Sequence, residues 1–179
     1  MLDLCPRGPS YTGILAQLAL ALACCYDLEG NISDLNRGIE ICQTWLDLCP
    51  PGHPEHANAL GDLATSLWKY YDIHGNEAGL NRIIEMQERR LDLCPFGHSD
   101  HALALGHLAA SLHSRFNRQG NMADLNKVIE MEEKRLDLCP LGNKWHTEAL
   151  GNLASSLSTC YHNQGDISDL SRAIDLREK

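Results

Sequence analysis

The sequence predicts an all-α fold, a solenoid of antiparallel helix pairs that repeat about every 45 residues. The phrase Leu-Asp-Leu-Cys-Pro occurs four times, beginning at Leu2, Leu46, Leu91 and Leu136, with offsets of 44, 45 and 45 residues. A fixed period of 20–50 residues is typical of stacked repeat architectures. The chain also has only two phenylalanines and no dense runs of β-branched residues, which argues against a β-sandwich.

The first helix of each repeat is predicted from apolar residues at three- and four-residue steps, which form one face of an amphipathic helix. In the second repeat these residues are Leu60, Leu63, Ala64, Leu67 and Tyr71. The stretch 14–25, ILAQLALALACC, occupies the same columns in the first repeat. We interpret it as a buried helix and not as a signal peptide, because no cationic segment precedes it. Its twelve residues are also too few to span a bilayer.

A turn and a second helix follow in each repeat. Glycine suits the left-handed position that ends a helix, and Asn or Asp suits the cap that begins the next. These dipeptides are Gly30-Asn31, Gly75-Asn76, Gly120-Asn121 and Gly165-Asp166. The second helix carries Leu80, Ile83, Ile84 and Leu91 inward and stops near Cys94, because the residue before Pro95 is disfavoured in a helix. We expect each helix to span about 17 residues.

A single helix pair cannot bury its apolar face, whereas stacked pairs share a continuous core. The sequence therefore predicts one repeat array over residues 1–179, with units at about 7–50, 51–95, 96–140 and 141–179. The first and last units are truncated relative to the others. We expect the chain to be a segment of a longer array or an incomplete gene product.

The order Leu60-x-x-Leu63-Ala64-x-x-Leu67, followed by Gly75-Asn76, resembles the tetratricopeptide repeat (TPR). Gly52-His53-Pro54 is similar to the turn before the first helix in the long repeats of kinesin light chains. The period and the Leu-Asp-Leu-Cys-Pro phrase also resemble the extended repeats of large fungal proteins with NACHT or CHAT domains. The resemblance implies a right-handed superhelix whose first helices line a concave wall. It also implies a non-enzymatic protein–protein interaction scaffold within a larger signalling-type protein.

The chain departs from the repeat pattern at one position of the second helix. The usual small residue there is replaced by Cys42, Gln87, Glu132 and Arg177. The repeats are also longer than the 34 residues of a standard unit.

The resemblance implies a partner-binding face on the concave wall, where residue types vary while the packing columns stay constant. A formal charge of −9 favours a partner with basic residues, and aromatic side chains such as Trp68 are enriched at interface hot spots. The sequence leaves open the alternative that these positions are merely exposed. The candidate partner-binding residues are Asp62, Thr65, Trp68, His107, His113, Asn152 and Ser155.

The same negative charge argues against nucleic acid or an anionic membrane as a partner, because both require a basic surface. No phosphate-binding Gly-rich loop, Gly-x-Ser-x-Gly elbow or His-Glu-x-x-His motif occurs, so we predict no enzymatic activity. Many charges fall at helical spacing and predict a solvated, salt-bridged face. Examples are Asp124 with Lys127, Glu130 with Lys134, and Asp169 with Arg172.

The eight cysteines raise the question of disulfides. Cys5, Cys49, Cys94 and Cys139 form a column, but equivalent helices of adjacent repeats lie about 8–10 Å apart and bridged Cα atoms lie within about 7 Å. We therefore expect reduced, mostly buried thiols and a cytoplasmic location. Pairings of Cys24 with Cys160 or Cys25 with Cys42 stay open.

A metal- or redox-responsive module is the alternative function. Cys49-x3-His53-x2-His56 recurs as Cys94-x3-His98-x2-His101. A closed structural zinc site usually takes four ligands, and each of these turns offers three at most. We therefore predict no metal and no cofactor. A third hypothesis is that the repeats associate end to end with other copies.

Overall fold

The computed structural model describes residues 9–75 and 77–178, and within these ranges the chain forms helices joined by short turns, without β-strands. The helices are α1 (Pro9–Glu29), α2 (Ile32–Leu48), α3 (His56–His74), α4 (Glu77–Leu93), α5 (His101–Gln119), α6 (Met122–Leu138), α7 (Lys144–Gln164) and α8 (Ile167–Arg177). They form four consecutive pairs, so the predicted all-α fold of helix pairs is confirmed. The first helices α1, α3, α5 and α7 are 19–21 residues long, slightly longer than predicted.

The turn within each pair follows the predicted chemistry. Gly30, Gly75, Gly120 and Gly165 have φ values of 68°, 72°, 67° and 77°. Each donates its N–H to the carbonyl of an aromatic residue four positions earlier, at 2.7–2.9 Å. The side chains of Asn31, Asn121 and Asp166 then cap the second helix by accepting the N–H two residues on. The fourth predicted cap, Asn76, lies outside the described residues.

The helices fall into two compact units that divide between Leu93 and Cys94. In the first unit, Leu60, Leu63 and Ile83 form a core to which Cys42 of α2 also belongs. In the second unit, Leu153, Leu157 and Ala173 pack with Ile129 and Leu136 of α6. Each unit therefore joins two helix pairs through the second helix of the earlier pair.

The apolar helix α1 is more exposed than predicted. Leu15, Ala19 and Leu22 are buried, but Ile14 is 59% and Leu20 is 63% exposed. The prediction of a buried helix is therefore wrong for much of its surface. In α3 and α7 the corresponding apolar face packs on the preceding second helix, α2 or α6, and no described element precedes α1.

One segment of α1, Tyr11–Glu29, is long and apolar enough to cross a membrane by length and composition alone, and 22% of an apolar 18-residue stretch within it is buried. This is weak evidence for a membrane span, because core helices and signal sequences of soluble proteins pass the same test. The expectation of no membrane partner therefore stays a prediction.

The described cysteines are free. Cys42, Cys49, Cys94, Cys139 and Cys160 are buried, as predicted, whereas Cys24 and Cys25 are exposed on α1. The two pairings left open by the sequence do not form. Cys5 lies outside the described residues.

Some charged residues form the solvated pairs within one helix that the sequence predicts, but others pair with residues of neighbouring helices. Glu130 and Lys134 pair on the surface of α6 at 2.6 Å. Asp124, however, is 2% exposed and accepts two hydrogen bonds of 2.7 Å from Arg115 of α5. Arg172 of α8 pairs with Glu133 of α6. Packing of neighbouring helices thus brings Asp124 and Arg172 to partners that their own helices do not supply.

Candidate functional site

Asp62, Thr65 and Trp68 lie at three-residue steps along α3, and all three are half-buried. The Thr65 hydroxyl donates to the Gly61 carbonyl at 2.9 Å and accepts from the Gln87 amide of α4 at 3.5 Å. Burial, reinforced by the negative charge of Asp62, raises the pKa of the Cys42 thiol in α2 to about 11. The α3 face therefore lies over the side chains of both flanking second helices.

His107 and His113 are half-buried on α5 in the second unit. The His113 ring lies 3.2 Å, Nδ1 to Nδ2, from the Asn117 amide and 6.3 Å, between ring centroids, from Phe116. Burial lowers the pKa of His113 below its usual 6.5. Burial therefore favours the neutral form of the His113 ring.

Asn152 and Ser155 are exposed on α7. The Asn152 amide donates to Oε1 of Glu132 in α6 at 3.0 Å. Glu132 is 1% exposed and also accepts from Arg135 at 3.3 Å. Burial raises the pKa of Glu132, and the contacts with Asn152 and Arg135 oppose that rise.

The second-helix position that departs from the repeat pattern lies next to candidate binding residues of the first helices α3 and α7. Cys42, Gln87 and Glu132 are each 1% exposed. Gln87 contacts Thr65 and Glu132 contacts Asn152, while the charge of Asp62 contributes to the raised pKa of Cys42. The fourth member, Arg177, is exposed. The sequence signal for these contacts was the variation of residue type at a position that normally holds a small residue.

Three turns connect successive pairs: turn A (residues 49–56), turn B (94–101) and turn C (139–146). In each turn a histidine at the start of the next first helix bonds through Nδ1 to the carbonyl of the cysteine that begins the turn. The distances are 2.6 Å for His56 to Cys49, 2.6 Å for His101 to Cys94 and 2.8 Å for His146 to Cys139. These histidines therefore hold the backbone of the turn.

Turn A brings together a different donor set from the one the sequence suggested. The Cys49 sulfur, a ring nitrogen of His53 and a carboxylate oxygen of Glu55 all lie within 4.8 Å of one another. Glu55 Oε2 also accepts from Nε1 of Trp45 at 3.1 Å. Burial, followed by the charge of Glu55, raises the pKa of the Cys49 thiol. Glu55 was not predicted as a ligand, because the repeated Cys/His spacing pointed to His56 as the third donor beside Cys49 and His53.

No protein-family model and no curated protein matches the chain. Among solved structures, it is similar to nearly identical TPR-like repeats from Podosopora anserina, described as a kinesin light chain. The similarity has 14% identity and a TM-score of 0.62, and covers 98% of this chain and 79% of that one. A Q17M form of the same repeats gives a TM-score of 0.63.

A de novo designed helical repeat protein is similar at 16% identity and a TM-score of 0.50, covering 94% of this chain and 91% of the design. At these identities the similarity concerns the fold alone. The chain has the fold of TPR-like helical repeats.

Proposed function

We propose that this chain is a non-enzymatic scaffold that binds a peptide or protein partner on the concave, first-helix face of its repeats. The binding residues are Asp62, Thr65 and Trp68 in the first unit and His107, His113, Asn152 and Ser155 in the second. The observation that carries the proposal is the support beneath this face. Gln87 donates to the Thr65 hydroxyl at 3.5 Å, and Asn152 donates to Glu132 at 3.0 Å. These contacts orient Thr65 and Asn152 before a partner binds. Such preorganisation lowers the entropic cost of binding.

The chemistry of this face favours a partner that combines basic and polar groups. Asp62 supplies a negative charge on α3, and the chain carries a net charge of −9. Trp68 is half-buried and offers an aromatic anchor. His113 adds a neutral hydrogen-bonding group, since burial lowers its pKa. We further propose a cytoplasmic location and a place in a larger signalling-type protein, which rest on the reduced thiols and on the resemblance to kinesin-light-chain and fungal repeats.

A pull-down from source-cell extract tests this proposal, with bound proteins identified by mass spectrometry. The variant Asp62→Ala/Trp68→Ala/His107→Ala is expected to lose a partner that the parent chain captures. The matched control is Glu88→Ala/Arg89→Ala, because both residues are exposed on the second helix α4. Loss in the control, or retention in the first variant with unchanged helicity, would contradict the first-helix face as the binding site.

A further inference from the structure

Turn A combines three metal-binding donor types that no other turn among residues 9–75 and 77–178 brings together. Zn–S and Zn–N or Zn–O bonds of about 2.3 Å and 2.0–2.2 Å place tetrahedral donors roughly 3.3–3.8 Å apart. The Cys49 sulfur and Glu55 Oε2 are already 4.0 Å apart, and all three donors lie within 4.8 Å. Inward movement of about 1 Å would therefore complete the geometry.

The carboxylate of Glu55 is aimed at this cluster and does not cap the adjacent helix. Glu55 is the N-cap residue of α3, but its side chain makes no capping hydrogen bond. It turns back to the Cys49 sulfur and accepts a hydrogen bond from Trp45 Nε1 at 3.1 Å. Metal ligands are commonly oriented by such an outer hydrogen bond.

The backbone of turn A holds the cluster in place. The His53 N–H donates to the Pro50 carbonyl at 2.9 Å, and Gly52 has a φ of 94° that permits this turn. The Cys49 N–H bonds to carbonyls of the last turn of α2, and His56 bonds to the Cys49 carbonyl. Because Cys49 and His53 are linked by this fixed turn, little chain ordering is needed to bind an ion.

We propose that turn A binds one zinc-type divalent cation through Cys49 Sγ, a ring nitrogen of His53 and a carboxylate oxygen of Glu55. The cation displaces the thiol proton of Cys49, which passes to solvent. One thiolate and one carboxylate then balance the two positive charges, which suits a site with a fully buried cysteine. At His53, coordination replaces a long hydrogen bond of 3.2 Å from the Glu55 N–H to Nδ1. Water fills the fourth position, as in three-ligand zinc sites.

The other turns provide matched controls. Turn B has Cys94 and His98, but Asp100 is one methylene shorter than Glu55 and accepts instead from the Ser99 hydroxyl at 3.4 Å. Turn C has Asn143 and Trp145 in place of the histidine and the carboxylate. The proposal therefore predicts one ion per chain.

The test is a Zn²⁺ titration of the chelator-stripped chain against a chromophoric competitor. It uses a Cys24→Ser/Cys25→Ser background, because those adjacent thiols are exposed. We expect one site per chain, with thiolate ligation seen in the Co²⁺ spectrum and proton release seen in calorimetry. Cys49→Ser, His53→Ala and Glu55→Gln should each weaken binding more than about tenfold, since even outer-partner losses cost 10–100-fold.

Cys94→Ser, His98→Ala and Asp100→Asn should leave the affinity unchanged. Trp45→Phe retains all three donors but removes the hydrogen bond that orients Glu55, and should weaken binding about tenfold or more. Circular dichroism of each variant checks that the helices remain folded, and His53→Ala alters only one side chain of the turn. Absence of a one-to-one site, or equal binding by turn A and turn B variants, would overturn the proposal.

Discussion

Turn A in the first unit and turn C in the second have the same backbone conformation, but the charged and aromatic side chains beside them occupy opposite positions. Both turns have a left-handed glycine, Gly52 or Gly142, and a histidine bonded to the cysteine carbonyl. In turn A the buried second-helix residue is Trp45, whose indole N–H donates to Glu55. In turn C the equivalent residue is Arg135.

The Arg135 guanidinium lies 5.5 Å from the ring of Trp145, which occupies the position of Glu55. Arg135 also pairs with Glu132 at 3.3 Å and Glu148 at 3.1 Å. Trp45 is 3% and Arg135 is 1% exposed. An aromatic and a charged group have thus changed places across the turn. The backbone hydrogen bonds therefore define the turn, while an aromatic and a charged side chain can exchange positions between the helices.

Arg135 with Glu132 and Glu148 forms the charged seam beside turn C, and Trp45 with Glu55 forms the aromatic seam beside turn A. The largest change in stability is expected at the charged seam. Arg135→Met should lower the free energy of unfolding by about 3–5 kcal/mol, because it leaves Glu132 buried without its cation. Burial already raises the pKa of Glu132, so its carboxyl group binds a proton more tightly in the native state than in the unfolded chain. The loss should therefore grow as pH rises above the usual 4.5 of a glutamate and shrink towards acid pH.

Urea unfolding at several pH values measures this effect. Glu132→Gln combined with Arg135→Met should recover much of the lost stability and remove the added pH dependence. If the single and double variants are equally unstable, charge burial is not the cause.

The aromatic seam should be less sensitive than the charged one. Trp45→Phe keeps a ring in the buried site but removes the hydrogen bond to Glu55. We expect a loss of about 1.5–3 kcal/mol, typical of a hydrogen bond to a charged group. Chemical unfolding of this variant beside Arg135→Met compares the two seams directly. A loss as large as that of Arg135→Met would argue against the distinction between them.

The hydrogen bond from the histidine to the cysteine carbonyl occurs in both turns, so its removal should lower stability to a similar extent in each. His56→Ala and His146→Ala each remove one hydrogen bond to a cysteine carbonyl, and we expect about 1 kcal/mol from each. His56 is buried and His146 only half-buried, so the loss should be somewhat larger in turn A. Thermal unfolding of the two variants measures the difference. A neutral substitution in either turn would show that the histidine does not hold that backbone.

The last prediction, with the smallest change in stability, compares Gly106 and Gly151, which occupy equivalent positions in the first helices α5 and α7. A Cβ added at Gly106 would lie 2.8 Å from Cζ of Arg135, whereas one added at Gly151 meets nothing within 4 Å. Gly151→Ala should therefore stabilise the chain by about 0.5–1 kcal/mol through helix propensity. Gly106→Ala should show none of this gain, because Arg135 must move. Equal stabilisation by both, in calorimetry, would mean that Arg135 is not held where the structure has it.

The helix pairs could be predicted from the sequence because their signals are local. Apolar spacing marks the helices, and Gly30, Gly120 and their capping partners mark the turns through backbone geometry that depends on few neighbours. The buried positions of Asp124, Glu132 and Arg135 could not be predicted. A polar residue on a helix is assigned to the solvent face unless its partner on another helix is known.

The exposure of α1 has a similar origin. Ile14 and Leu18 match columns that are buried in later repeats, whereas Leu20 shares the column of Thr65 and Ser155, which is not buried. In α3 and α7 the apolar columns are buried by packing on α2 or α6. In the candidate binding site, the columns identified the outward residues Asp62 and Asn152. They marked Gln87 and Glu132 only as departures from the small-residue position, and their contacts with Thr65 and Asn152 depend on how neighbouring helices pack.

Site-specific photo-crosslinking determines which face of the chain a partner touches. A photoreactive residue is placed at Thr65 or Ser155 on the first-helix face, or at Glu88 on the second helix α4 as a control, and each chain is irradiated in source-cell extract. The scaffold proposal predicts a discrete adduct from positions 65 and 155, competed by unlabelled chain, and none from 88. An adduct from position 88 alone, or none from any position, would contradict it.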